Sequence, residues 1–151
     1  MKNELERVGL WKDEWSNSGR DWFSKTVDLL RPRTRFVTDF SAWARAFFTD
    51  DFEYEIAAKD KFWKDPRLAE LLGKLADGYA GLAEWNHDAC EKVLRDLAEA
   101  EAVKAGLLIN ATRVAIVGVG VAPPLFETML ALGKDRVVAR LRHALPALPT
   151  N

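Results

Sequence analysis

Two stretches of this chain group side chains that can do chemistry. Arg31-Pro32-Arg33-Thr34-Arg35 sets three guanidiniums around a proline turn. A guanidinium is a planar fork of donors, so such a corner can pair with phosphate or read a base edge through two hydrogen bonds. The same arginines can equally be solvated charges that satisfy helix ends and carboxylates. The second stretch, Asn110 to Glu127, joins an apolar run carrying one cation, Arg113, to a hinge with Gly118 and Gly120. Pro123-Pro124 and Leu125-Phe126-Glu127 follow. Proline loses no bond at a helix start, and acidic Glu127 in a first turn suits the helix dipole. Backbone N–H groups left open there can receive an anion or a splayed nucleotide, although an ordinary helix corner has the same pattern.

Other reactive side chains form no recognised set. Asp50, Asp51 and Glu53 cluster, but the calcium-loop spacing is missing, and acids also favour helix starts. His87 and Cys90 are three apart, and two ligands do not make a zinc site. His87 and His143 are the only histidines, and neither stands in a nucleophile–base–orienter pattern. No catalytic residue and no metal ligand is expected.

The 151 residues can form one domain or two small helical subdomains, and 48% hydrophobic content with six tryptophans allows a packed core. The net charge of −1 hides an asymmetry. Lys104, Arg113, Lys134, Arg136, Arg140 and Arg142 face only Glu127 and Asp135 from residue 103 onward, while the first 102 residues carry 16 cations against 21 acids. A basic end on an acidic body fits a polyanionic partner. A single cysteine excludes an internal disulfide framework and fits a reducing, cytoplasmic location. The charged N-terminus is unlike a signal peptide, and the polar and proline breaks in the longest apolar run argue against a membrane span.

Helical spacing supplies the elements that would position these groups. A short helix is expected within Lys2 to Trp11. A second, with Trp22, Phe23, Val27, Leu29 and Leu30 inward, should end near Arg31 because Pro32 disfavours helix just before it. A third starts at Thr38 or Asp39. After a weak segment over Tyr54 to Phe62, a helix from Arg67 buries Leu68, Leu71, Leu72, Leu75, Ala76, Tyr79 and Leu82. Asn86 caps the next helix, with Cys90, Val93, Leu94, Leu97 and Ala98 as its stripe and Gly106 as its closing residue. Leu107 to Val117 continues as helix in preference to strand. Leu125 to Leu132 forms a short helix closed by Gly133. The last helix points Val137, Val138, Leu141 and Leu145 inward and Arg136, Arg140, Arg142 and His143 outward, and the chain is expected to fray after Pro146.

From Lys104 the chain reads K-A-G-L-L-I-N-A-T-R-V-A-I-V-G, then A-P-P-L-F-E-T-M-L-A-L-G-K-D-R-V-V-A-R-L. This order of phrases resembles the end of bacterial-type glutamyl-tRNA synthetases, which are class I aminoacyl-tRNA synthetases. Leu29 to Asp39 resembles that family's first arginine corner, and Trp85-Asn86 sits where the family often has tryptophan and a cap. The family's His-Ile-Gly-His and Lys-Met-Ser-Lys-Ser motifs are missing, as is any glycine-rich phosphate loop. The resemblance is therefore to the anticodon-binding region without the catalytic domain, to which ATP and Mg2+ would belong. No cofactor is expected in this chain.

The resemblance implies an all-α cage of two helical subdomains, residues 1–84 and a basic 85–151. It implies a monomer that binds the tRNA(Glu) anticodon stem-loop and joins the catalytic domain of the same synthetase. Single-stranded bases can be unstacked and read on their polar edges while arginines hold the backbone. Arg33 matches the family's base-reading arginine, with Arg31 and Arg35 beside it, and Ala122, Pro123 and Leu125 match its second anticodon contact. Ala122 replaces a residue that is often polar in the family, so backbone contacts are expected there. Arg136, Arg140 and Arg142 add phosphate attraction, and Arg113 and Gly118 support the turn. The alternatives are a helical protein–protein module and the related domain of class I lysyl-tRNA synthetase.

Overall fold

The computed structural model describes residues 2–7, 9, 11–30, 45–50, 52–119 and 124–149. These residues are helical with no strand among them, as expected from the spacing. They belong to two compact units, Met1–Glu53 and Tyr54–Asn151.

The first unit contains α1 (Lys2–Arg7), a 3-10 turn at Asp13–Ser16 and α2 (Arg20–Leu30), followed by helical residues 45–48. Its core is aromatic. Trp15 lies 5.5 Å from Phe23 in a stacked pair and 5.0 Å from Phe48, while Trp11 meets Trp15 and Phe23 edge-on. Large rings fill volume with few rotatable bonds, which suits a unit of few short helices. Gly19 suits this packing, since a Cβ there would stand a tight 3.1 Å from the Trp15 ring.

The second unit holds α3 (Ile56–Phe62), α4 (Leu68–Ala80), α5 (His87–Ala100), α6 (Ala105–Val117), α7 (Leu125–Leu132) and α8 (Lys134–Ala144). Six of the seven side chains expected to face inward from this helix are buried, and the seventh, Leu82, lies past the end of α4 and is half-buried. α4 packs most extensively on α8 and also on α5 and α6. That packing joins residues 54–80 to the C-terminal helices, so the compact units part at Glu53/Tyr54, ahead of the expected 84/85 boundary. Gly78 permits the close approach of α4 to α5, because a Cβ would meet Val93 Cγ1 at 3.0 Å.

The ends of α5 and α6 show where spacing misleads. Asn86 Oδ1 accepts from Ala89 N at 2.8 Å, as expected of an N-cap. The closing residue is Ala102, however, at φ 54, and not Gly106. Val103 N donates to Ala98 O and Ala102 N to Glu99 O, the paired bonds of a left-handed helix stop. Gly106 instead lies inside α6, with open space where its Cβ would be. Each residue sits where the other type fits better. Ala102→Gly should stabilise the chain by about 0.5–1 kcal/mol by relieving left-handed strain. Gly106→Ala should add about 0.5 kcal/mol through helix propensity. Denaturant midpoints measure both, and a drop in either contradicts the assignment of the helix end.

At the C-terminus a 3-10 turn at Leu145–Ala147 follows α8, and Leu148 is buried. The chain therefore stays packed through Leu148, beyond the fraying expected after Pro146. No helix among the described residues is long and apolar enough to cross a membrane.

Candidate functional site

The corner between α6 and α7 is built from both sides. α6 ends at Gly118, whose φ of 77 is the left-handed conformation that glycine adopts without steric penalty. Gly118 N donates to Val114 O at 2.8 Å, and Gly118 O accepts from Glu55 N at 2.7 Å, just before α3. α7 begins behind Pro124, which is the N-cap (φ −50, ψ 139) and not the first helical residue. Thr128 N closes the first turn onto Pro124 O at 3.0 Å. Glu127 is exposed in that turn, where its charge suits the helix dipole.

Arg31, Arg33, Arg35, Ala122 and Pro123 lie outside the described residues. Leu125 is described, and its side chain is buried with Phe126, Met129 and Leu132 on one face of α7. Its side chain therefore serves the core, and a contact from Leu125 to a ligand is left to its backbone. Arg136 is half-buried. Arg142 is exposed, and its Nη2 donates to Asp77 Oδ1 at 3.3 Å. Arg113 is half-buried and donates from Nη1 to Asn110 Oδ1 at 2.8 Å, a bond along its own helix.

Arg140 departs from the expected outward position. It is 5% exposed, and its Nη1 donates to Ile116 O at 2.6 Å. The reason is positional: Val137, Arg140, Leu141 and Ala144 form one buried stripe of α8. That spacing was available in the sequence, but residue type argued for solvent. A guanidinium engaged this way offers little to an external phosphate. Glu55 was not singled out by sequence, and since its contribution is a backbone N–H, no side-chain signal marks it.

Further polar ties hold α7 and the start of α8. Trp85 Nε1 donates to Met129 O at 3.1 Å, and its ring meets Tyr79 edge-on at 5.5 Å. Lys134 Nζ donates to Leu82 O at 3.1 Å. His87 packs edge-on against Phe126 at 5.4 Å. On the other flank, Trp63 Nε1 donates to Ala111 O at 3.1 Å and its ring meets Tyr54 at 4.8 Å. Such donors satisfy buried carbonyls and fix helix register.

The titratable groups here are structural in character. Burial pushes the Tyr54 phenol up, and the positive charge of Arg140 partly opposes that shift. Burial pushes the Cys90 thiol up to about 11. A thiol held protonated and fully buried is a weak nucleophile and metal ligand. His87 is about half exposed, so the two residues that spacing placed on one face sit in different surroundings. Among the described residues no three His, Cys, Asp or Glu side chains group as a metal site.

The chain's sequence places it in a known class. It belongs to the anticodon binding domain family, whose model matches residues 5–145. Its relatives are glutamate–tRNA ligases. It is 43% identical over 144 residues to glutamate–tRNA ligase 2 of Koribacter versatilis, covering 95% of this chain and 29% of that protein. It is 51% identical over 153 residues to the glutamate–tRNA ligase of a Roseiflexus species, covering 97% of this chain and 29% of that protein. A crystal structure of a glutamate tRNA ligase from Elizabethkingia meningosepticum in complex with its amino acid superposes with a TM-score of 0.79 at 22% identity, over 97% of this chain and 28% of that one, which shows the shared fold. The chain thus spans under a third of the relatives it matches and corresponds to their C-terminal part.

Proposed function

We propose that this chain reads the anticodon of glutamate tRNA as the non-catalytic part of a glutamate–tRNA ligase. The observation that carries the reading is the match of the anticodon-binding family over residues 5–145, in relatives that are glutamate–tRNA ligases. In this reading Arg33 reads a base edge and Arg31 and Arg35 hold neighbouring phosphates. Ala122, Pro123 and Leu125 offer backbone groups to a second base, with Gly118 and Arg113 supporting the turn. Arg136 and Arg142 supply phosphate attraction. Amino-acid activation, with ATP and Mg2+, is left to the catalytic part of the ligase, and the chain works as a monomer beside it.

Titration of the chain with a glutamate anticodon stem-loop at several salt concentrations tests this. Binding should weaken as salt rises, with a log–log slope of about −0.7 for each phosphate neutralised along single-stranded RNA. Salt-independent RNA binding, or no binding at millimolar RNA, contradicts the reading. A salt-insensitive protein partner without RNA affinity would favour a protein–protein module instead.

A further inference from the structure

We propose that Arg140 is a positioning residue for RNA recognition, acting by holding the C-terminal end of α6 in place rather than by touching phosphate. The inference rests on the anticodon reading above and adds to it a role for a buried side chain.

The last turn of an α-helix leaves carbonyls without donors from its own helix. At the end of α6, donors arrive from two other segments. Arg140, from α8, reaches Ile116 O at 2.6 Å, and Glu55, from the residue before α3, reaches Gly118 O at 2.7 Å. Gly118 N folds back onto Val114 O, so the left-handed stop is fixed on three sides. A cation at this end also suits the helix dipole.

The next described element, α7, is fixed as firmly. Its first two side chains are buried, and Trp85 ties down the Met129 carbonyl. The end of α6 at Gly118 and the start of α7 at Leu125 are therefore both anchored, and one of the anchors is a charged side chain from a third helix. For stability alone, an apolar residue would serve on a stripe with Val137, Leu141 and Ala144, because burying a guanidinium carries a desolvation penalty. What arginine adds at the end of α6 is a directed bond to the Ile116 carbonyl. The backbone that leaves Gly118 takes its position and direction from this exit, so a shift at the end of α6 weakens base reading that depends on it.

Arg140→Met and Arg140→Lys test the inference in the full chain. Each variant is titrated with a glutamate anticodon stem-loop and with a stem-loop altered at one anticodon base, across salt, alongside amide exchange at Glu55 and Gly118. Arg140→Met should bind the glutamate stem-loop about tenfold more weakly, the scale of a lost charge-assisted hydrogen bond. Discrimination between the stem-loops should shrink, the salt slope should stay unchanged, and the Glu55 and Gly118 amides should exchange faster. Arg140→Lys keeps a donor without the fork, so it should fall between wild type and Arg140→Met.

A salt slope lowered by about 0.7 to 1 in Arg140→Met would mark a phosphate contact and overturn the proposal. Wild-type discrimination and amide protection in either variant would also overturn it, and Arg140→Lys carries that test if Arg140→Met fails to fold. Wild-type chain that binds neither stem-loop overturns the anticodon reading, and the RNA role of Arg140 with it. Wild type that binds and variants that bind equally well overturn only the role of Arg140.

Discussion

Gly133→Ala should lower the stability of the chain by about 2 kcal/mol, near the middle of the range for a residue forced into a sparsely allowed backbone conformation. Gly133 stands alone between α7 and α8, at φ 89 and ψ 157, a combination essentially confined to glycine. It serves both helices. Gly133 N donates to Met129 O at 3.0 Å, closing α7, and Gly133 O accepts from Val137 N at 3.1 Å, opening α8. A Cβ at this position would meet open space, so the penalty is conformational and not steric clash with neighbours. The flanking anchors make the corner hard to relax: Lys134 is tied to Leu82 O, and Leu132 and Val137 are buried. A chemical denaturation curve measures the effect. For a chain of this length the loss corresponds to a fall of about 5–8 °C in melting temperature. A midpoint equal to wild type contradicts the one-residue corner.

Under the proposed reading, Arg33→Ala should lose discrimination between anticodons by about 1–3 kcal/mol at one base, the scale of one bidentate base contact. Arg142→Ala is the informative comparison. Arg142 is exposed, and its pairing with Asp77 across 3.3 Å is a weak surface contact. Its loss should weaken cognate and non-cognate stem-loops alike and reduce the salt dependence, as removal of a phosphate contact does. The two variants remove the same charge, so a difference between them reports base reading and not net charge. Equal effects of Arg33→Ala on glutamate and altered stem-loops would remove Arg33 from that role.

Much of the second unit was legible from spacing. The stripe of α4 and the Asn86 cap follow from a 3.6-residue period and one side-chain oxygen, both local properties. Helix through Val117 won over β-branched propensity because its apolar residues recur at helical intervals. Two expectations fail for a shared reason: position in the fold outweighs residue type. Gly106 looked like a helix stop, yet the left-handed residue is Ala102, set by where the α5 carbonyls found donors. Arg140 looked like a surface cation, yet its register with Val137, Leu141 and Ala144 places it inside, opposite a carbonyl of another helix. The partner of each lies in another segment or depends on three-dimensional packing, which local spacing does not encode. The phrases of the C-terminal third supplied the family, whereas the arginine corner and the Ala122-Pro123 turn remain assignments by resemblance.

The central claim is that this chain distinguishes the glutamate anticodon from others. Side-by-side titration of the 151-residue chain with glutamate and lysine anticodon stem-loops, at one fixed salt concentration, tests it most directly. The glutamate stem-loop should bind at least about fivefold more tightly, the lower limit for one specific base contact. Equal affinity for the two, or preference for the lysine stem-loop, would contradict the claim.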